Sequence, residues 1–181
     1  MDIMLDLETL STSPDAAIVA IGAIGFSSDG HASLAAYDHA PKIYIPVSPS
    51  SAQRLGGEID SRTVQWWAQQ SDAARAVLSD PDAIDMAYAL QLFSSFIDKF
   101  GDVKIWGNGA GFDNVILRRA YERHYCEAPW PPHFDRCYRT LKNLRTDIAI
   151  ERVGTLHNAL DDAISQARHA EHIFAAMRSA A

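Results

Sequence analysis

Ile3-Met4-Leu5-Asp6-Leu7-Glu8-Thr9 is the stretch whose reading decides the fold. Ile3, Leu5 and Leu7 alternate with Met4, Asp6 and Glu8, a period of two residues that predicts a β-strand. On a strand, residues i and i+2 point to one face. Asp6 and Glu8 therefore project together while Leu7 turns into a core. Two carboxylates held that close repel unless a proton or a cation sits between them. Hard oxygen ligands suit magnesium or manganese. A strand end with two solvated acids is the plainer account of the same residues.

Outward from this strand, Ser11-Thr12-Ser13-Pro14-Asp15 reads as a turn. The apolar run Ala16 to Phe26 then forms a second strand, antiparallel to the first across a short loop. A third strand fits Lys42 to Val47, and a Ser/Gly-containing loop runs on to Glu58. Asp60 or Ser61 can cap a helix beginning near Thr63. A second helix fits Ala83 to Phe100. Val103 to Trp106 is a short strand, Gly107 to Gly111 a glycine-rich loop, and Phe112 to His124 a helix. Pro129 to Pro132 breaks the chain before a last strand, Phe134 to Tyr138. A final helix spans Ala159 to Met177. Three strands first, then strands alternating with helices, predict an α/β fold with a mixed sheet covered by helices.

The 181 residues are 48% apolar, enough for one domain over 1–181 with a core that needs no disulfide staples. No apolar run approaches the roughly 18 residues of a membrane span. Asp2, Asp6 and Glu8 stand where a signal peptide carries Lys or Arg, and Cys126 and Cys137 have no metal-type spacing. A cytoplasmic protein with reduced thiols and no membrane partner is the expectation. The net charge of −7 disfavours a generic nucleic-acid coat. Yet eight of the 16 Lys and Arg fall in residues 118–152: Arg118, Arg119, Arg123, Arg136, Arg139, Lys142, Arg145 and Arg152. Either a solvated helical face or a phosphate-tracking surface beside an acidic site accounts for them.

Two further segments carry chemistry. Asp113 follows the glycine-rich loop at a strand-to-helix turn, where an acid also complements the helix dipole. In His157-Asn158-Ala159-Leu160-Asp161-Asp162, Asn158 is a good N-cap. His157 then lies just outside the helix, and Asp161 falls at the third helical position, as in a capping box. Asp161 thus gains a structural task and Asp162 is left free.

Together these segments resemble the histidine-containing branch of the DEDD, or DnaQ-like, 3′→5′ exonucleases. That signature is D-x-E near the N-terminus, an Asp in the middle and H-x4-D near the C-terminus. Asp6, Glu8, Asp113, His157 and Asp162 match it in order across nearly the whole chain. Gly107-Asn108-Gly109-Ala110-Gly111-Phe112-Asp113 is similar to the G-N-x-x-G-x-D of oligoribonucleases, while Phe112 resembles the DNA proofreading branch. The small size, Thr9-Leu10-Ser11-Thr12 and Val64-Gln65-Trp66-Trp67 look most like the bacterial and phage exonuclease VIII-like group of small exoribonucleases.

The resemblance implies a ribonuclease H-like, five-stranded mixed sheet in order 3-2-1-4-5 with strand 2 antiparallel. It also implies two divalent cations, Mg2+ or Mn2+, held by Asp6, Glu8, Asp113 and Asp162, with Asp6 bridging. His157 would be the general base, since imidazole titrates near neutrality. The implied reaction is removal of nucleoside 5′-monophosphates from the 3′ end of single-stranded or 3′-overhang nucleic acid, RNA ahead of DNA. A homodimer is implied as well. The carried-over substrate contacts are Leu7, Thr9 at the 3′ hydroxyl, Leu10 as a wedge against the terminal base, Asn108 and Phe112. Trp66 and Trp67, about 100° apart on a helix, either divide between core and base platform, with spacing not saying which is which, or are both packing residues. The rival functions are a DNA exonuclease of proofreading or recombination type, and a catalytically silent nucleic-acid-binding module on the same fold.

Overall fold

The computed structural model describes residues 1–29, 37 and 39–179. Strands β1 (Asp2–Thr9), β2 (Ile18–Phe26), β3 (Lys42–Pro46), β4 (Lys104–Gly107) and β5 (Asp135–Cys137) form one sheet in the order β3-β2-β1-β4-β5. β2 is antiparallel to both β1 and β3. β4 runs parallel to β1, and β5 parallel to β4. This is the expected five-stranded mixed sheet. β1 holds its centre because both its faces are buried. Ile3, Leu5 and Leu7 enter a core with Phe93, Ile116 and Leu117. Met4 points the other way, into a core with Trp106, Tyr138, Ala163 and Ala167. Asp6 and Glu8 continue the Met4 face toward the end of the strand.

Seven helices among the described residues cover the sheet: α1 (Pro49–Arg54), α2 (Ser61–Trp67), α3 (Asp72–Arg75), α4 (Met86–Ile97), α5 (Asp113–Arg123), α6 (Tyr138–Asn143) and α7 (Ala159–Ser179). α4 and α5 pack on the Ile3–Leu5 side, α6 and most of α7 on the Met4 side. Gly22 of β2 lies opposite Asp6 in the register, directly under the first turn of α7. A Cβ there would run into the backbone of Ala159 and Leu160, so glycine is what lets α7 begin against the sheet. None of the described helices is long and apolar enough to cross a membrane.

Three local expectations are corrected. The loop expected before Glu58 contains α1, opened by Pro49 with its preset φ and followed by a bond from the Ser51 hydroxyl to the Ser48 carbonyl. The helix expected from Ala83 starts only at Met86, because Ile84 donates its N–H to Pro46 and pairs beside Val47 instead. Asp85 caps it, accepting from the Ala87 N–H at 2.9 Å. α3 and α6 are too short to leave a periodic signal and were not expected. Near Thr63 the cap is Asp60, which accepts from the Arg62 N–H at 2.9 Å.

Candidate active site

A cleft of about 590 Å3 opens at the carboxyl end of β1. Its wall carries Asp6, Glu8, Asp113, His157 and Asp162, drawn from four places in the chain. β1 supplies the first two. Asp113 is the first residue of α5 and is buried, its Oδ1 accepting the Leu7 N–H at 3.2 Å. α7 supplies Asp162 from its first turn.

The α7 start is built as the sequence reading expects, with one changed partner. Asn158 Oδ1 accepts from the N–H groups of Leu160 and Asp161, each at 3.1 Å. Asp161 reaches back past the cap and accepts the Thr155 N–H at 2.7 Å, so it fastens the preceding loop to the helix. Asp162 accepts the His157 N–H at 2.9 Å through Oδ2 and the Arg152 guanidinium at 2.5 Å through Oδ1. His157 sits at φ 63°, a left-handed conformation unusual for a side-chain-bearing residue, and this bond to Asp162 helps hold it there. Its ring stands edge-on to Trp66, centroids 4.8 Å apart.

Close packing fixes Asp113 from the other side. A Cβ on Gly107, the last residue of β4, would lie 2.9 Å from Asp113 Cβ and 3.0 Å from its Oδ2. The neighbouring Asn114 is fully buried, with its amide donating to the Ile105 carbonyl and to Asp135 Oδ1, both at 2.9 Å. The turn therefore has no slack between strand and helix.

The electrostatics follow from crowding acids in a wall away from water. Desolvation, then the charges of Asp113 and Glu8, hold the Asp6 carboxyl well above the usual carboxylate range, while the Gln166 amide at 2.8 Å pulls the other way. Burial, with Asp162 and Asp113 adding to it, pushes Glu8 up to about 8. Burial raises Asp113 to about 7 against the lowering effect of backbone N–H donors such as Leu7. Asp113 Oδ2 is buried with no hydrogen-bond partner among the described residues. Glu8, His157 and Asp162 each offer a ligand atom within 4.8 Å of the others. Carboxylates that resist ionising together, an unsatisfied buried oxygen and a three-residue donor cluster suit a hard divalent cation.

The substrate residues expected from the sequence divide. Leu7, Thr9, Trp66, Trp67, Asn108 and Phe112 line the cleft. Leu10 does not take the wedge position, because it is 6% exposed and packs in the core with Ala17 and Trp67. Trp67 is 1% exposed and donates its indole N–H to the Thr9 carbonyl at 2.9 Å, which makes it the packing residue. Trp66 is 41% exposed, the ring left for the cleft. The Thr9 hydroxyl is engaged with the Ser11 carbonyl at 2.7 Å, and Asn108 Oδ1 is buried without a partner.

Half of the basic stretch is paired with acids away from the cleft. Arg118 pairs with Asp135, Arg119 and Arg123 with Asp15, and Arg145 with Asp147. Arg139 and Arg152 remain on the cleft wall. Gln166 was not singled out from the sequence. Its signal was there, four residues after Asp162 on the same helical face. Leu156 and Arg62 are also on the wall; Arg62 belongs to the first turn of α2, where nothing in its own spacing points to the cleft.

Compared with known proteins, residues 1–174 match the model of the family described as the 3′-5′ exoribonuclease Rv2179c-like domain. No curated protein matches the chain by sequence. Among solved structures, the nuclease domain of 3′hExo, a DEDDh family member bound to rAMP, superposes with a TM-score of 0.65 at 11% identity, over 96% of this chain and 91% of that one. E. coli Exonuclease I in complex with a dT13 oligonucleotide gives 0.62 at 15% identity, over 96% of this chain and 41% of that one. S. pombe Pop2p in its Mg2+- and Mn2+-bound form gives 0.57 at 15%, over 94% and 81%. At such identities the likeness is one of fold, the ribonuclease H-like sheet these nucleases share.

Proposed function

The chain belongs to the family of Rv2179c-like 3′-5′ exoribonuclease domains, and from that membership we propose that it removes nucleoside 5′-monophosphates one at a time from the 3′ end of single-stranded RNA. One observation carries the proposal. Asp6, Glu8, Asp113 and Asp162 converge with His157 on one cleft, beneath an exposed tryptophan.

The four carboxylates would hold two divalent cations, Mg2+ or Mn2+; the raised pKa values of Asp6, Glu8 and Asp113 and the unsatisfied Asp113 oxygen give such ions a reason to bind there. Bound cations would supply Lewis acidity to the phosphodiester and a more acidic water. The protein's own groups do the rest. His157, held against Asp162 by its backbone and against Trp66 by its ring, accepts the proton of the attacking water. The water oxygen bonds to phosphorus as the bond to the 3′ oxygen of the preceding nucleotide breaks, and that oxygen is reprotonated from solvent. Products are a nucleoside 5′-monophosphate and a chain one residue shorter with a free 3′ hydroxyl. Trp66 presents a face on which any base can stack, which suits a sequence-tolerant enzyme.

The experiment uses 5′-labelled RNA and DNA of one sequence with Mn2+, Mg2+ or EDTA, beside the Asp113→Ala variant. A cation-dependent ladder shortening from the 3′ end of RNA, lost in the variant, is the expected result. Faster shortening of DNA would reassign the substrate, and intact strands with folded protein and both metals would overturn the proposal.

A further inference from the structure

The cleft contains one contact that opposes the cation sites. The guanidinium of Arg152 donates to Asp162 Oδ1 at 2.5 Å, while the His157 N–H takes Oδ2. Asp162 belongs to the donor cluster with Glu8 and His157. A carboxylate oxygen has room for two partners, but a guanidinium and a divalent cation on the same carboxylate repel each other.

The backbone around Arg152 is fastened. Val153 donates to the Ser165 hydroxyl at 2.9 Å, and Thr155 to Asp161 at 2.7 Å. Among the described residues its side chain is fastened by this one pair, and it is 51% exposed, whereas Asp162 is 9% exposed. The guanidinium can therefore leave by side-chain rotation alone, with its Cα fixed at the cleft edge. A planar cation set free there matches a phosphate, to which arginine donates two parallel bonds.

We propose that Arg152 is an exchangeable counter-ion: it competes with the divalent cation for Asp162 and, once displaced, binds the phosphate of the nucleic acid. The second half rests on the function proposed above; the first does not. Arg152 thus couples filling of the cation site to capture of the substrate, since each frees the partner the other needs.

The test is a pair of calorimetric titrations on the full chain, with Mn2+ alone and then with AMP at saturating Mn2+. Arg152→Gln should bind Mn2+ about three- to fivefold more tightly than the unaltered protein, the size expected of a half-exposed ion pair. The same variant should bind AMP at least about tenfold more weakly, for loss of a charge-assisted bond. Arg145→Gln, which breaks only the pair with Asp147 away from the cleft, should change neither. Unchanged or weaker Mn2+ binding in Arg152→Gln would overturn the competition and leave Arg152 as a clasp for its loop. Unchanged AMP binding would overturn the phosphate role. If unaltered protein leaves RNA intact, the functional proposal falls, and the Mn2+ titration still decides the competition.

Discussion

Gly107→Ala should injure the enzyme far more than Gly111→Ala, although both glycines belong to the same loop pattern. The added methyl at 107 would sit 2.9 Å from Asp113 Cβ and 3.0 Å from its Oδ2, with Asn114 Oδ1 nearer still, where ordinary contact begins at 3.4 Å. Asn114 cannot swing aside without breaking its bonds to Ile105 and Asp135. The Asn114 Oδ1 contact, the closest of the three, sets the size of the movement: the first turn of α5 must shift away from β4 by about an ångström, and Asp113 moves with it. Overpacking of this kind costs about 1–3 kcal/mol. For a chain of this length that lowers Tm by roughly 2–12 °C. A misplacement of about 1 Å costs on the order of 100-fold in rate, and that is the kcat loss expected here. A Cβ at Gly111 meets nothing within 4 Å, and its variant should melt like the unaltered protein. Thermal melts and an RNA ladder time course on both variants suffice. Equal behaviour of the pair, or a Gly107→Ala enzyme of normal Tm and rate, would refute the close-packing account of Asp113.

Other outcomes follow from the same geometry. With metals chelated, stability should fall as pH rises from about 4.5 to about 8. Glu8 titrates near 8 in the folded chain against an ordinary 4.5, and Asp113 near 7 against 3.8, so the folded state holds the extra protons and loses them across that window. Added Mn2+ should raise Tm most at the upper end, and a Tm flat across the window in EDTA would contradict the raised pKa values. Trp67→Ala should cost about 3–5 kcal/mol by chemical denaturation, as a buried aromatic truncation. Trp66→Ala should leave the melt alone and raise KM by about five- to 150-fold, the loss of one stacked base; the opposite assignment would show as the opposite pairing of melt and KM. Asp161→Asn should keep most activity because it loses only a loop fastening, while Asp162→Asn should lose nearly all, and assayed side by side the reverse ranking would show that the wrong acid was chosen.

What the sequence made legible was whatever repeats or alternates. β1 announced itself through Ile3, Leu5 and Leu7, and the same alternation placed Asp6 and Glu8 side by side. The long α7 and its Asn158 cap were equally readable, since capping chemistry is local. Illegible features depend on which distant residue arrives. α1 and α6 span six residues each, too few for a helical period to show. Leu10 looked free beside the acids because nothing local says that it turns back into the core with Ala17. The division between Trp66 and Trp67 is decided by the Thr9 carbonyl, 58 residues away along the chain. Gln166 is readable as a neighbour of Asp162 on one helical face, but its bond to Asp6 depends on α7 meeting β1.

The commitment of Arg118, Arg119, Arg123 and Arg145 to the protein's own carboxylates, away from the cleft, sets how firmly a polyanion can be gripped. A net charge of −7 repels a nucleic acid at long range, and the segment richest in arginine brings only Arg139 and Arg152 to the cleft. Each phosphate neutralised on a single strand adds about −0.7 to the slope of log affinity against log salt, so Arg139 and Arg152 together with Arg62 bring it no further than about −2. A hold that shallow resides at the 3′ terminus alone, with little along the trailing backbone to keep a shortened strand in place. The expected consequence is distributive action, with the strand released after each nucleotide.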